Sequence, residues 1–159
     1  MYNVIVFFHI LSAFAFVMSH GVSANIAFKL RHETSRERIA ALLDLSVAYF
    51  NVTYLALAVM LLAGITMGFL GEWWGQVWIW LALGLLFLKS FGMWFLASRP
   101  FNDLRKVVNR PLPEGQLQSP DPLADAEEIS ALTAAIKPFL ILIVGFGGLA
   151  LILWLMLFK

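Results

Sequence analysis

Four stretches of this chain are nearly free of charge and long enough to cross a bilayer. They run over about 4–28, 47–70, 77–97 and 139–158. Roughly 20 apolar residues in a helix span the hydrocarbon of a membrane, and each stretch reaches that length. Lys89, in the third, is the only Asp, Glu, Lys or Arg in any of them. Inside lipid every backbone N–H and C=O must be satisfied by the chain itself, so runs of this length form helices. The expected fold is an all-α integral membrane four-helix bundle, a single domain over 1–159.

Composition agrees. The chain is 61% hydrophobic and 13% charged, where a soluble domain carries about 25% charged residues. A net charge of +1 offers nothing to a nucleic acid. With no Cys, disulfides, iron–sulfur clusters and thiolate metal sites drop out. The first stretch lacks a basic leader and is too long for a signal-peptide core, so it reads as a retained membrane helix.

Nine of the eleven Lys and Arg residues lie between the first and second stretches or between the third and fourth. The positive-inside rule then puts both loops in the cytoplasm, the 98–138 connector among them, and both termini outside. Trp73, Trp74, Trp78 and Trp80 suit an aromatic belt at the outer interface. Thr34–Glu37 has the spacing of a capping box and should start a helix that continues into the second stretch. Gly71–Gln76 is short enough to make the second and third stretches antiparallel neighbours. The proline-rich 110–122 segment reads as extended, and 121–137 as an amphipathic helix. Pro138 then kinks the chain or begins a new helix.

The first stretch contains two histidines, His9 and His20. Eleven residues at about 100° each bring both onto one face of a helix, roughly 16 Å apart along its axis. Ionisable side chains at bilayer depth are uncommon, and they are functional-site candidates by default. Two histidines a few turns apart can ligate two haems, but the remaining histidine, His32, lies in a basic loop. Axial partners would then be Met60 and Met67, at the depth of His9, or Lys89 and Met93, at the depth of His20. A second copy of the chain could also supply them. Hydrogen bonding between helices is the ordinary alternative for each histidine.

Lys89 either snorkels toward the cytoplasm or serves as a propionate partner, a quinone hydrogen-bond donor or a proton site. Asn25, Asn51, Thr53 and Tyr54 form either an interfacial hydrogen-bonding group or the mouth of such a pocket. Phe7, Phe8, Phe14 and Phe16 would suit porphyrin packing. Small residues at Ala15, Ser19, Ser23 and Ala27, at Gly64 and Gly68, and at Gly145, Gly147 and Gly148 permit close helix contact or leave room for a flat cofactor. The basic run 29–38 is a topogenic signal that could also bind anionic lipid or a soluble partner.

Phe8-His9-Ile-Leu-Ser-Ala, Ser19-His20-Gly21-Val-Ser23, Glu37-Arg-Ile-Ala-Ala-Leu-Leu43 and Gly71-Glu-Trp-Trp-Gly-Gln-Val-Trp-Ile-Trp80 together resemble a known group. These are small prokaryotic four-helix membrane proteins related to the copper-resistance protein D domain. The resemblance implies a multi-pass protein of a prokaryotic cytoplasmic membrane, with copper or cytochrome roles and His9 and His20 as candidate ligands. A fainter similarity, to the bacterial four-helix haem-binding protoporphyrinogen oxidase, fails at its motif. That family has a Lys shortly before its His, where this chain has Val6.

The leading expectation is therefore a haem-b-binding membrane protein that transfers electrons, linked to quinone, alone or within a larger complex. His9 and His20 are the metal ligands in this reading, with Lys89, Met60, Met67 and Met93 as further cofactor-binding residues. A homodimer would supply missing ligands. A copper-handling protein and a non-catalytic accessory subunit are the alternatives.

Overall fold

The computed structural model describes residues 1–110 and 125–158. Four helices long and apolar enough to cross a membrane make up nearly all of it, and no strand occurs among the described residues. Helix α1 is Tyr2–Leu30 and α2 is Arg36–Leu70. Helix α3 is Val77–Val107, with a π-helical turn at Trp94–Ser98. A short amphipathic helix, α4, is Ala126–Ala135. Helix α5 covers 138–157, with a second π-helical turn at Ile143–Gly147.

The helices outrun their apolar cores. Helix α3 does not stop near residue 97 but continues for ten residues beyond it, so part of the expected connector is helical. Helix α2 does begin in the basic loop and run unbroken into the second span. Its N-cap, however, is Ser35 rather than Thr34, and no side-chain capping bond forms there. Instead Glu33 Oε1 accepts the backbone N–H groups of Thr34 and Ser35 at 3.1 and 3.0 Å. Asp125 caps α4 by accepting the Glu128 N–H at 2.8 Å, and residues 121–124 of the expected helix lie outside the described residues, as does most of the proline-rich segment. Pro138 opens a new helix at its first turn, where its missing N–H costs nothing.

The α2–α3 turn is tight. Glu72 takes the left-handed conformation at φ 54°. Gly71 ends α2, and the Trp73 indole lies where a side chain on Gly71 would be. Trp74 packs against Trp80 and Phe69 at ring distances of 5.6 and 5.2 Å. The four tryptophans expected to form an aromatic belt thus gather at one end of the bundle.

The outside of the bundle is apolar. Phe87, Phe14, Leu62 and Leu153 are among many large side chains facing outward along the spans. Such a surface belongs in lipid. The tightest interior lies at the opposite, basic end, where Leu30, Ile39, Leu43, Phe101, Leu104, Ile136 and Ile141 are almost fully buried.

Arginines tie the helix ends there. A helix leaves its last carbonyls without intrahelical partners. Arg36 donates to Val107 O at 3.2 Å, and Arg31 to Ile136 O at 3.4 Å. Both acceptors sit at helix C-termini. Arg105, 1% exposed, donates to Leu43 O and to Ser46 Oγ. Its guanidinium also lies 3.7 Å from Asp44, which Arg110 approaches at 3.6 Å.

Candidate functional site

Toward the terminal end the helices surround a cavity of about 730 Å³, to which all four spans contribute lining. Ligand pockets commonly measure about 300–1,000 Å³. Helix α1 supplies His9, Phe14 and Phe16, and α2 supplies Met60, Gly64 and Met67. Trp73, Trp74 and Trp78 line its outer part, and Phe146 closes it from α5. Apart from Tyr2 and Met156, the remaining wall is aliphatic.

His9 is held in a defined way. Its Nδ1 lies 2.9 Å from the Met60 carbonyl. A carbonyl only accepts, so Nδ1 carries the proton and donates. Neutral imidazole then keeps its free lone pair on Nε2, the atom that would bind a metal. The sequence makes this possible at Gly64, one turn beyond Met60. A Cβ at that position would stand 3.3 Å from His9 Cε1 and 3.5 Å from Nδ1. The Gly64–Gly68 pair thus does not serve bare helix contact. Gly64 admits the imidazole, and Gly68 admits Trp74 and Ile79.

His20 is placed otherwise. It is 5% exposed and is not in the cavity wall. Its ring stacks on Phe16 at 6.4 Å and meets the edge of Phe146 at 5.5 Å. Nε2 is fully buried without a hydrogen-bond partner. The ring fills the space that a side chain on Gly145 would need. Gly145 lies inside the π-helical turn of α5, a local widening often found at functional positions.

Lys89 lies beside His20, as depth along the helices suggests. It does not snorkel: it is 5% exposed, and its Nζ sits 4.7 Å over the Phe16 ring. Its stem packs on Gly148, where a Cβ would stand 3.2 Å from Cδ. Among the described residues no carboxylate pairs with it. Phe16 and Phe146 therefore line the deep part of the cavity, with two bases, His20 and Lys89, packed on the far side.

The structure thus brings His9, Met60 and Met67 to one cavity and His20 and Lys89 to one buried recess. Met93 joins neither set and packs against the basic-end core. Phe16 is buried in the cavity wall, Phe14 borders the cavity while facing outward at 64% exposure, and Phe7 and Phe8 are exposed without reaching it. Asn25, Asn51 and Tyr54 face outward rather than forming a pocket mouth. No group of three or more His, Cys, Asp or Glu residues spaced for a metal ion occurs among the described residues.

Three residues left unpaired with a base by sequence reasoning matter most: Gly64, Gly145 and Gly148. Each vacates volume for one ionisable side chain. The available signal was a glycine inside an apolar span, at the depth of a buried base on another span.

Set against known proteins, the chain matches no family model, no curated protein and no solved structure.

Proposed function

We propose that this multi-pass membrane protein holds haem b in the cavity of its terminal half and transfers electrons through it. One observation carries the reading. His9 is fixed by the Met60 carbonyl in the tautomer that frees Nε2, within an aromatic-lined apolar cavity that also contains three thioethers, Met60, Met67 and Met156. His9 would hold the haem iron, with Met67 or Met60 available as a further ligand from the same cavity wall. When bound, the haem supplies one-electron exchange at its iron.

The chain's own residues supply the rest. The Met60 carbonyl orients the imidazole and raises its basicity as a ligand. Phe16 and Phe146 present rings for a flat macrocycle, and Trp73, Trp74 and Trp78 shield the outer part from water. With His9 and a methionine from the same chain, a dimer is not needed to complete the ligand set. His20, outside the cavity wall, is not a ligand in this reading.

The same donor set supports a second reading. Thioether sulfur and imidazole nitrogen also suit Cu(I), in line with the resemblance to copper-resistance proteins.

A visible spectrum of the purified protein from haem-replete cells tests the proposal. The expected result is a Soret band and a reduced-minus-oxidised α band of the b type, lost in His9→Ala and retained in His20→Ala. Absence of a Soret band in the wild-type protein overturns it. Stoichiometric copper, lost in His9→Ala and Met67→Leu, would then establish the second reading.

A further inference from the structure

A second cavity, of about 510 Å³, lies at the opposite end of the bundle, at the α1–α2 turn. Its polar rim is Lys29, His32, Glu33 and Arg38, and its apolar wall is Ala41, Leu42 and Leu45. Positions 41 and 45, and 42 and 45, are one turn apart on α2, so the wall forms a strip along the helix. That strip runs from the charged rim toward the apolar span. Leu45 is 46% exposed.

The charges at the rim are unequally engaged. Glu33 Oε1 is occupied by two backbone N–H groups. Its other oxygen stands 3.9 Å from Arg38, whose side chain is 77% exposed. The side chains of Lys29 and His32 have no hydrogen-bond or ion-pair partner among the described residues. Lys29 and Arg38 against Glu33 leave one formal positive charge at the rim of an open space. A single monoanionic phosphodiester complements that charge.

We propose that this cavity binds the phosphate headgroup of an anionic phospholipid, with an acyl chain lying along Ala41, Leu42 and Leu45. The basic rim alone would accept any phosphate. The apolar strip favours the lipid, because a free phosphate would leave Leu42 and Leu45 facing water. Arginine and lysine at a membrane surface commonly serve this recognition. The site is independent of what fills the cavity at the other end.

Native mass spectrometry of the full-length protein in detergent tests it, with phosphatidylglycerol and phosphatidylcholine of identical acyl chains. The expected result is retention of phosphatidylglycerol in preference to phosphatidylcholine by about 5-fold, from about 1 kcal/mol for the one net positive charge of the rim. Lys29→Gln/Arg38→Gln abolishes the preference, and Lys29→Arg keeps it. Both positions are exposed, and unchanged helicity by circular dichroism shows that the variants fold. No headgroup preference in the wild-type protein overturns the proposal, as does a preference that survives in the double variant. Millimolar inorganic phosphate is the last arm. Displacement of the lipid by it would assign the site to free phosphate instead, whereas retention supports the lipid.

Discussion

Gly145→Ala is the most direct test of how the deep recess is built. A methyl group there would lie 2.5 Å from His20 Cδ2, 2.7 Å from Cε1 and closer still to Nε2. The ring has little freedom to retreat. Phe16 stacks on one side, Phe146 closes another, and Lys89 packs nearby against the same helix. Overpacking a well-filled interior costs about 1–3 kcal/mol, roughly a 5- to 150-fold change in the unfolding equilibrium. Gly84→Ala is the control. No heavy atom lies within 4 Å of a Cβ at Gly84, so only helix propensity acts, and it favours Ala by up to about 1 kcal/mol. Gly64→Ala should fall between them, since its Cβ would meet His9 at 3.3 Å. Reversible unfolding in mixed micelles measures all three. A His20→Ala background removes the ring, and the cost of Gly145→Ala should then largely vanish. The double-mutant coupling should amount to about 1–3 kcal/mol. If Gly145→Ala is as stable as Gly84→Ala, or costs the same with and without the His20 ring, the reasoning fails.

Two further outcomes follow from the same geometry. Lys89→Met keeps the stem on Gly148 but removes a desolvated ammonium that no carboxylate among the described residues neutralises. The lost cation–π contact, worth roughly 0.5–2 kcal/mol, offsets the recovered desolvation, so unfolding should show stability unchanged or raised. A loss above about 2 kcal/mol would mean the ammonium has a stabilising partner. At the basic end, Arg105→Met removes the buried donor to Leu43 O and Ser46 Oγ and should cost about 3 kcal/mol. Asp44→Asn, whose side chain is 48% exposed, should cost no more than about 1 kcal/mol. Equal effects from the two would place the stabilisation in the ion pair rather than in the bonds to α2.

The spans were legible because their signal is local. Apolar length and the absence of charge are properties of single segments, and lipid leaves the backbone no alternative to a helix. The starts of α2 and α5 were also marked in the sequence, although the cap at α2 fell one residue later, with Glu33 accepting the Thr34 and Ser35 N–H groups just before the helix. The end of α3 was not legible. Residues 99–107 are polar, and they stay helical because Phe101 and Leu104 dock into the basic-end core while Arg105 bonds to α2. Those partners lie far away in sequence.

The two histidines show the division most clearly. Sequence alone determined that His9 and His20 lie at different depths on one helix, that Met60 and Met67 share the depth of His9, and that Lys89 shares the depth of His20. Helical rise and strand-free topology suffice for that, since depth is additive along a chain. Only the tertiary structure decided their separate environments. His9 turned to the Met60 carbonyl because Gly64 exposes it, and so entered a cavity. His20 sank into the gap at Gly145 and left the cavity to Phe16 and Phe146. Which side chain fills the space over a glycine depends on how neighbouring helices are rotated and how closely they approach, and that is set by packing across the whole bundle rather than by any one segment.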